Sequence, residues 1–317
     1  MKLSVFTFIV CGLVSTIFYS CSKEKRSEEA AEKMQAFVAD ISGYARQMDS
    51  DFLIIPQNGI ELAWQSADPE GEPATEYMNA IDGFGVEELF YNGQAETDTY
   101  RLDMLRQLVD EKPVLVSEFI EDPTEINEAV AMNHNEGFLC FPRDVSNYDY
   151  LEIPDSVYFE NDDDILELSD AKNYLYLISN EAYATKSAFI DAVKATNFDL
   201  VIMDLFFGDE TFTSADIAQL KTKANGGKRL VISYVNVGSA EKFRYYWKNC
   251  WGLHHPLWLR RRYEGYDDEF WVKFWKKEWQ DIIFGNDDSY MKKVIDAGFD
   301  GAYLDNVEAY YFLYYKD

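Results

Sequence analysis

The chain has 317 residues, with 29 Lys and Arg against 57 Asp and Glu, so it carries a net charge of −28 at neutral pH. Its 47% hydrophobic and 16% aromatic content can build a sizeable core, which excludes a disordered chain. The charge excludes a nucleic-acid binder, which needs clustered Lys and Arg, and suits a cationic ligand or polymer.

Residues 1–21 read MKLSVFTFIVCGLVSTIFYSC: Lys2, an uncharged apolar run from Leu3 to Tyr19, then Ser20-Cys21, followed by the charged stretch Lys23-Glu24-Lys25-Arg26. This is the layout of a secretory signal. The small residue before Cys21 resembles the cleavage motif of bacterial lipoproteins, although Phe18 stands where that motif usually carries Leu. The expectation is a signal peptide over 1–20, lipid on Cys21, a charged tether over 21–26 and one domain over 27–317. The protein would be exported and held at a bacterial membrane through its lipid alone. An ordinary signal peptide or an anchor helix are the alternatives.

From Ser27 the pattern changes. Met34, Phe37, Val38, Ile41, Tyr44, Ala45 and Met48 fall at helical spacing, which predicts an amphipathic helix packed on the main body. Eight short apolar runs follow: 52–56, 86–91, 114–120, 137–141, 174–178, 200–203, 230–237 and 301–304. Helical stretches lie between several of them, at 100–109, 124–132, 187–196, 214–223 and 289–297. Near-continuous apolar strands alternating with helices predict a parallel sheet covered on its faces. Eight of them suit a (β/α)8 barrel better than a doubly wound sheet, because no GxGxxG follows the first strand.

The stretch from Ser239 to Gly285 breaks this rhythm. It shows no clean strand and holds six of the seven tryptophans: Trp247, Trp251, Trp258, Trp271, Trp275 and Trp279. It reads as an insertion after strand 7, most of its indoles forming a small core and one or two facing a cleft, where aromatic faces stack against sugar rings. Cys140 and Cys250 are expected as free, buried thiols, with no CxxC spacing for zinc. Only three histidines occur, His134, His254 and His255, so neither a His-rich metal centre nor a cofactor is expected. Asp162-Asp163-Asp164 lacks the spacing of a calcium loop and reads as a solvated run. Asn225-Gly226-Gly227-Lys228 is a turn, not a phosphate loop. His254-His255 and Arg260-Arg261-Arg262 are expected to offset neighbouring Glu and Asp.

In a barrel the chemistry sits at the C-terminal ends of strands. Those ends carry Gln57, Asn58, Glu118, Arg143, Asn180, Asp204, Glu241 and Asp305. Asp204 and Asp305 each close an apolar strand, and Glu241 lies just beyond one. A carboxylate is costly there unless it is paired or used. Asp305 has the alternatives of accepting rim N–H groups or pairing with Arg143 or Arg244, and Asp204 that of capping a helix. Converging carboxylates without a metal motif or a nucleophilic Ser or Cys suggest glycoside hydrolysis, which needs one carboxyl as acid and another as nucleophile or base.

The stretch Tyr234-Val235-Asn236-Val237-Gly238-Ser239-Ala240-Glu241, followed by Phe243-Arg244-Tyr245-Tyr246-Trp247, resembles the YxxxGxxExxRxYW signature of glycoside hydrolase family 114. Gly298-Phe299-Asp300-Gly301-Ala302-Tyr303-Leu304-Asp305 resembles its GFDGxxLD signature. Residues 54–59 and 171–178 resemble a bacterial branch of the same group. The resemblance covers roughly 50–317, and departs at the acidic loop 160–164 and at 263–269. It implies a (β/α)8 barrel, endo-acting cleavage of α-1,4-linked galactosamine polymers, and Asp204 and Glu241 as catalytic pair. Tyr234, Asn236, Arg244, Asp305, Gln57, Asn58 and Trp247 are expected around them as substrate-binding residues. The partner is then a cationic amino-sugar polysaccharide; a glycan-binding lipoprotein without turnover is the alternative. Replacing Cys21 with Ser should release the protein from the membrane fraction; retention of an uncleaved variant would make residues 3–19 an anchor helix.

Overall fold

The computed structural model describes the backbone of residues 6–315 and the side chains of residues 23–315. Lys2 and the side chain of Cys21 lie outside the described residues. The chain starts with α1 (Phe6–Arg46), β1 (Leu53–Pro56), α2 (Thr75–Ala80), β2 (Phe84–Ala95), α3 (Thr99–Leu108), β3 (Val114–Ile120), α4 (Ile126–Asn135), β4 (Leu139–Arg143) and β5 (Tyr174–Leu177). It continues with α5 (Lys186–Lys194), β6 (Leu200–Asp204), the short pair β7 (Phe206–Phe207) and β8 (Glu210–Thr211), α6 (Ser214–Leu220) and β9 (Leu230–Asn236). The insertion carries β10 (Ser239–Glu241), β11 (Leu259–Tyr263), β12 (Tyr266–Val272) and α7 (Lys277–Ile283), and α8 (Tyr290–Asp296), β13 (Gly301–Asp305) and α9 (Ala309–Tyr315) close the chain.

Each of the eight apolar runs is a strand. Five form a parallel sheet in the order β1-β13-β9-β6-β5, and three form a second parallel sheet, β2-β3-β4. A parallel bridge from Gln57 to Gly85 joins the end of β1 to β2. Between β4 and β5 there is no ladder among the described residues; Phe141 packs on Tyr174 there, with ring centroids 5.7 Å apart. The result is a mixed α/β fold of parallel strands, compatible with a TIM-like architecture. Strands β6 and β9 are apolar on both faces because both are covered, β9 being buried throughout. Side-chain caps start the helices on time: Thr185 Oγ1 accepts from Ala188 N in α5, and Thr213 with Asp216 forms a capping box on α6.

Helix α1 runs unbroken through residues 21–26 and buries Ala30, Ala31, Met34, Phe37, Val38 and Ile41. Among the described residues no helix is long and apolar enough to cross a membrane.

Two buried carboxylates set the backbone. Glu118 on β3 is fully buried and accepts from Leu89, Phe90 and Tyr91 N and from Asn133 Nδ2. These N–H groups are freed where β2 bulges, its register to β3 jumping between Glu87 and Asn92. Glu118, read from sequence as a rim carboxylate, is therefore a structural acceptor. Asp199, ahead of β6, is paired at 2.9 Å with Lys223, both side chains wholly buried, and also accepts from Asn161 Nδ2 and Lys172 N. This ties the exposed acidic run 162–164 to the N-terminal side of the sheet.

Two expectations are corrected here. The insertion does contain strands: β10, β12 and β11 form an antiparallel sheet. Its outward residues are charged, so Arg260 and Arg262 interrupt the apolar pattern that marks the parallel strands. Cys140 and Cys250 are both free, but Cys140 is half-buried and Cys250 exposed. Trp258, Trp271 and Trp279 are buried, and Trp247, Trp251 and Trp275 pack against the core, as a small aromatic core requires.

Removing Lys223 leaves Asp199 with a buried, uncompensated charge. Lys223→Met should cost about 3–5 kcal/mol in a urea unfolding experiment; a loss under ~1 kcal/mol would show that the amides alone neutralise Asp199.

Candidate active site

Adjacent parallel strands bring their ends to one place. Asp204 is opposite Tyr234 in the β6–β9 ladder, and Asp305 is opposite Asn236 in the β9–β13 ladder. Glu241 follows through a turn at Gly238, where an added Cβ would sit 1.9 Å from the Asn306 carbonyl oxygen. Only glycine lets the chain pass the end of β13 that closely. Asp204, Glu241 and Asp305 thus line one cleft of about 810 Å3, whose walls also include Gln57, Asn58 and Tyr234.

Arg244 sits between the first two carboxylates. Its Nη1 lies 2.7 Å from Asp204 Oδ2, and its Nε donates to Glu241 Oε2 at 2.7 Å. Asp204 Oδ1 also accepts from Phe206 N at 2.8 Å. The guanidinium is covered by Phe243, Tyr290 and Phe206, at 4.9, 5.7 and 5.9 Å from their ring centres. Burial opposes its charge, but Asp204 and Glu241 outweigh that and raise its pKa further. Burial also raises the Glu241 carboxyl; Arg244 pulls it down and Asp204 pushes it up.

Among the described residues, Asp305, Glu269, Glu87 and Glu308 have no Lys or Arg nitrogen within ion-pair distance. Asp305 accepts from Tyr234 Oη at 2.5 Å and from Asn306 N at 2.7 Å; burial lifts it to about 6 against these bonds. Glu269, opposite Glu241 in the β10–β12 ladder, accepts from Asn236 Nδ2 at 2.9 Å, from Asn306 Nδ2 at 3.3 Å and from Ser239 Oγ. Burial, then the charge of Glu241, lifts it to about 8. Glu87 on β2 accepts from Tyr150 Oη at 2.5 Å and is lifted by burial to about 7; Glu308 is lifted by burial to about 8. Arg143 is spent on Glu88.

Most expected site residues meet here. Gln57 Oε1 accepts from Tyr176 Oη at 2.9 Å, and Asn58, at φ 59°, turns the chain after β1. Asn236 is buried behind Glu269. Asp305 pairs with neither Arg143 nor Arg244. Trp247 is a correction: it stacks on Phe270 at 5.5 Å inside the insertion and is not part of the cleft wall. The hairpin side chains Tyr263 and Tyr266 supply the aromatic surface instead. Sequence reasoning also missed Glu87, Glu269 and Glu308. Glu269 had a local signal, a Gly265 turn at φ 87° between two β-rich segments, which marks a hairpin.

Residues 169–317 match the model of glycoside-hydrolase family GH114. This segment contains Asp204, Glu241, Arg244, Glu269 and Asp305, and it carries both signatures that suggested the family. An uncharacterized protein of Methanocaldococcus jannaschii is 36% identical over 133 residues, 41% of this chain and 36% of that protein. An uncharacterized protein of Thermotoga maritima is 30% identical over 131 residues, 41% and 39% of the two chains, and one of Deinococcus radiodurans 35% over 121 residues, 38% and 37%. The aligned segment thus spans under two fifths of each of these relatives.

Asp305, Glu87, Glu269 and Glu308 hold protons to higher pH when folded than when unfolded, at about 6, 7, 8 and 8. The folded state therefore binds more protons between about pH 5 and 8, and stability should fall as pH rises through that window. Urea unfolding should show the decline, at most about 1.4 kcal/mol per pH unit for each group. Glu269→Gln should make it shallower; stability rising with pH would contradict the assignment.

Proposed function

We propose that the chain is a glycoside hydrolase on a closed (β/α)8 barrel that cleaves an amino-sugar polymer, with α-1,4-linked galactosamine the preferred unit. The observation that carries this reading is the convergence of Asp204, Glu241, Glu269, Asp305, Glu87 and Glu308 on a single cleft. Hydrolysis of a glycosidic bond needs one carboxyl that holds a proton and one that is ionised, and such a set supports both. A cleft this rich in carboxyls concentrates a polymer bearing ammonium groups. Export and a lipid on Cys21 would place the enzyme where such polymers are met.

In this reading Asp204 and Glu241 are the catalytic pair. Arg244 and the Phe206 N–H fix the Asp204 carboxyl at the end of β6, where it serves as nucleophile or base. Glu241, the drier of the two, is the acid. Asp305, Tyr234, Gln57 and Asn58 hold the substrate around them. One observation favours a second assignment of the acid. Glu269 is bonded to two amides and a hydroxyl, and its pKa of about 8 keeps it protonated at neutral pH. Glu241, by contrast, is already ion-paired with Arg244.

The test uses partly deacetylated galactosamine oligomers, with products read by mass spectrometry, alongside an aryl glycoside whose leaving group needs no protonation. Asp204→Asn should lower turnover by orders of magnitude on both substrates. Loss of the acid should cost roughly 10²–10⁴-fold on oligomers and far less on the aryl glycoside. Whichever of Glu241→Gln and Glu269→Gln shows that split is the acid. A wild type that binds amino-sugar oligomers and cleaves none of them is a glycan-binding protein.

A further inference from the structure

The acidity of the chain is interrupted on the surface of the insertion. At the base of the β11–β12 hairpin, Leu259 pairs with Val272, Lys273 N donates to the Trp258 carbonyl at 2.8 Å, and Lys276 N donates to the Lys273 carbonyl at 2.9 Å. Arg260, Lys273 and Lys276 are thereby gathered on one surface. Among the described residues none of the three has a carboxylate oxygen within 4.0 Å, whereas the neighbouring Arg261 reaches Glu264 at 3.8 Å. The arginine run was expected to offset nearby acids; Arg261 does, and Arg260 does not. Burial, then repulsion from Arg260 and Lys276, lowers the pKa of Lys273.

Two exposed apolar side chains lie in the loop that leads into Arg260. Leu257 is 79% exposed and Leu253 44% exposed. Their loop is folded back by His254 N donating to the Leu259 carbonyl at 3.0 Å, and it rests on Trp258, which packs against Trp251 at 4.9 Å. The leucines are therefore presented on a rigid base. Helix α1 borders the same surface: Lys33 Nζ lies 5.2 Å from the Trp275 ring centre, and Arg26 and Arg260 both act on the Tyr314 phenol. The acids facing this border are Glu29 near Tyr314, and Glu24 and Glu28 near Tyr315.

We propose that this surface docks the protein onto an anionic lipid bilayer, with Leu253 and Leu257 entering the interfacial layer and Arg260, Lys273 and Lys276 meeting headgroup phosphates. Exposed leucines in a loop that runs into unpaired cations are what an anionic interface selects, and a chain of net charge −28 is otherwise repelled by it. The orientation also works. The hairpin tip, Tyr263 and Tyr266, lines the cleft, while Leu259 and Val272 lie at its other end, about 15 Å away at the rise of a β-strand. Docking by the base leaves the cleft open to solvent. If Cys21 carries lipid, as proposed above, that anchor sits six helical residues before the buried Ser27, about 9 Å along α1, and holds the bilayer against this end of the molecule.

The experiment is flotation of the full-length chain with vesicles of phosphatidylcholine alone and of phosphatidylcholine mixed equally with phosphatidylglycerol. An N-terminal anchor contributes to both, so the ratio between them reads the patch. The wild type should bind the anionic vesicles more tightly, and added salt should remove the difference. Arg260→Glu, Lys273→Glu and Lys276→Glu together should lower anionic binding by roughly tenfold or more and leave neutral binding unchanged. The corresponding triple Gln variant, which keeps the aliphatic stems, should fall between them, with its thermal unfolding checked against the wild type. Weaker wild-type binding to anionic than to neutral vesicles would overturn the proposal. So would a triple variant that keeps its anionic binding, or one that changes only self-association in sedimentation, which would assign the patch to the acidic surface of a second copy. None of these outcomes depends on whether the protein cleaves a glycan.

Discussion

One guanidinium shared by a buried and a half-buried carboxylate organises this molecule. Arg244 reaches Glu241, three residues earlier, and Asp204, forty residues earlier on another strand. Each partner would be expensive to bury alone, and together they are neutralised only to a single negative charge. That arrangement requires β6 and β9 to lie side by side with aligned ends. It also requires the Gly238 turn, which brings the chain back over the end of β13. The aromatic faces of Phe206, Phe243 and Tyr290 lie against the guanidinium and add cation–π attraction.

With Arg244 held by Asp204 and Glu241, and Arg143 by Glu88, the acids Asp305, Glu87, Glu269 and Glu308 are left to hydrogen bonds and protons. Tyr234 serves Asp305, Tyr150 serves Glu87, and Asn236, Ser239 and Asn306 serve Glu269. A neutral carboxyl that is poised to ionise is a proton donor and also a site for an arriving cation. These two properties are what cleavage of a cationic glycan demands, which is why the electrostatics and the match of residues 169–317 to GH114 support the same proposal. The cation-rich base of the β11–β12 hairpin stands apart from this economy, on the far end of the same insertion.

The eight parallel strands were legible because burial on both faces writes an uninterrupted apolar run, as in Leu200-Val201-Ile202-Met203. Asp204, Glu241 and Asp305 were legible because a carboxylate at the tip of such a run needs an explanation. The bulge in β2 was not legible, since it depends on Glu118 from another strand supplying the acceptors for Leu89, Phe90 and Tyr91 N. The β11–β12 hairpin was hidden by the charged residues on its outer side, and Glu269 was hidden with it. Trp247 was assigned to the cleft from its motif; its neighbours Phe270 and Trp251, one of them distant in sequence, decide its direction.

The central claim is that Glu269 and Glu308, at about 8, hold protons at neutral pH and are ionised by a cationic ligand. Calorimetric titration of the Asp204→Asn variant with a galactosamine oligomer at pH 7, in two buffers of different ionisation enthalpy, measures this directly. The account predicts net proton release on binding, because ammonium groups favour the ionised carboxylates, and weaker binding without proton release for the fully N-acetylated oligomer. Binding of both oligomers with equal affinity and no proton transfer would contradict it.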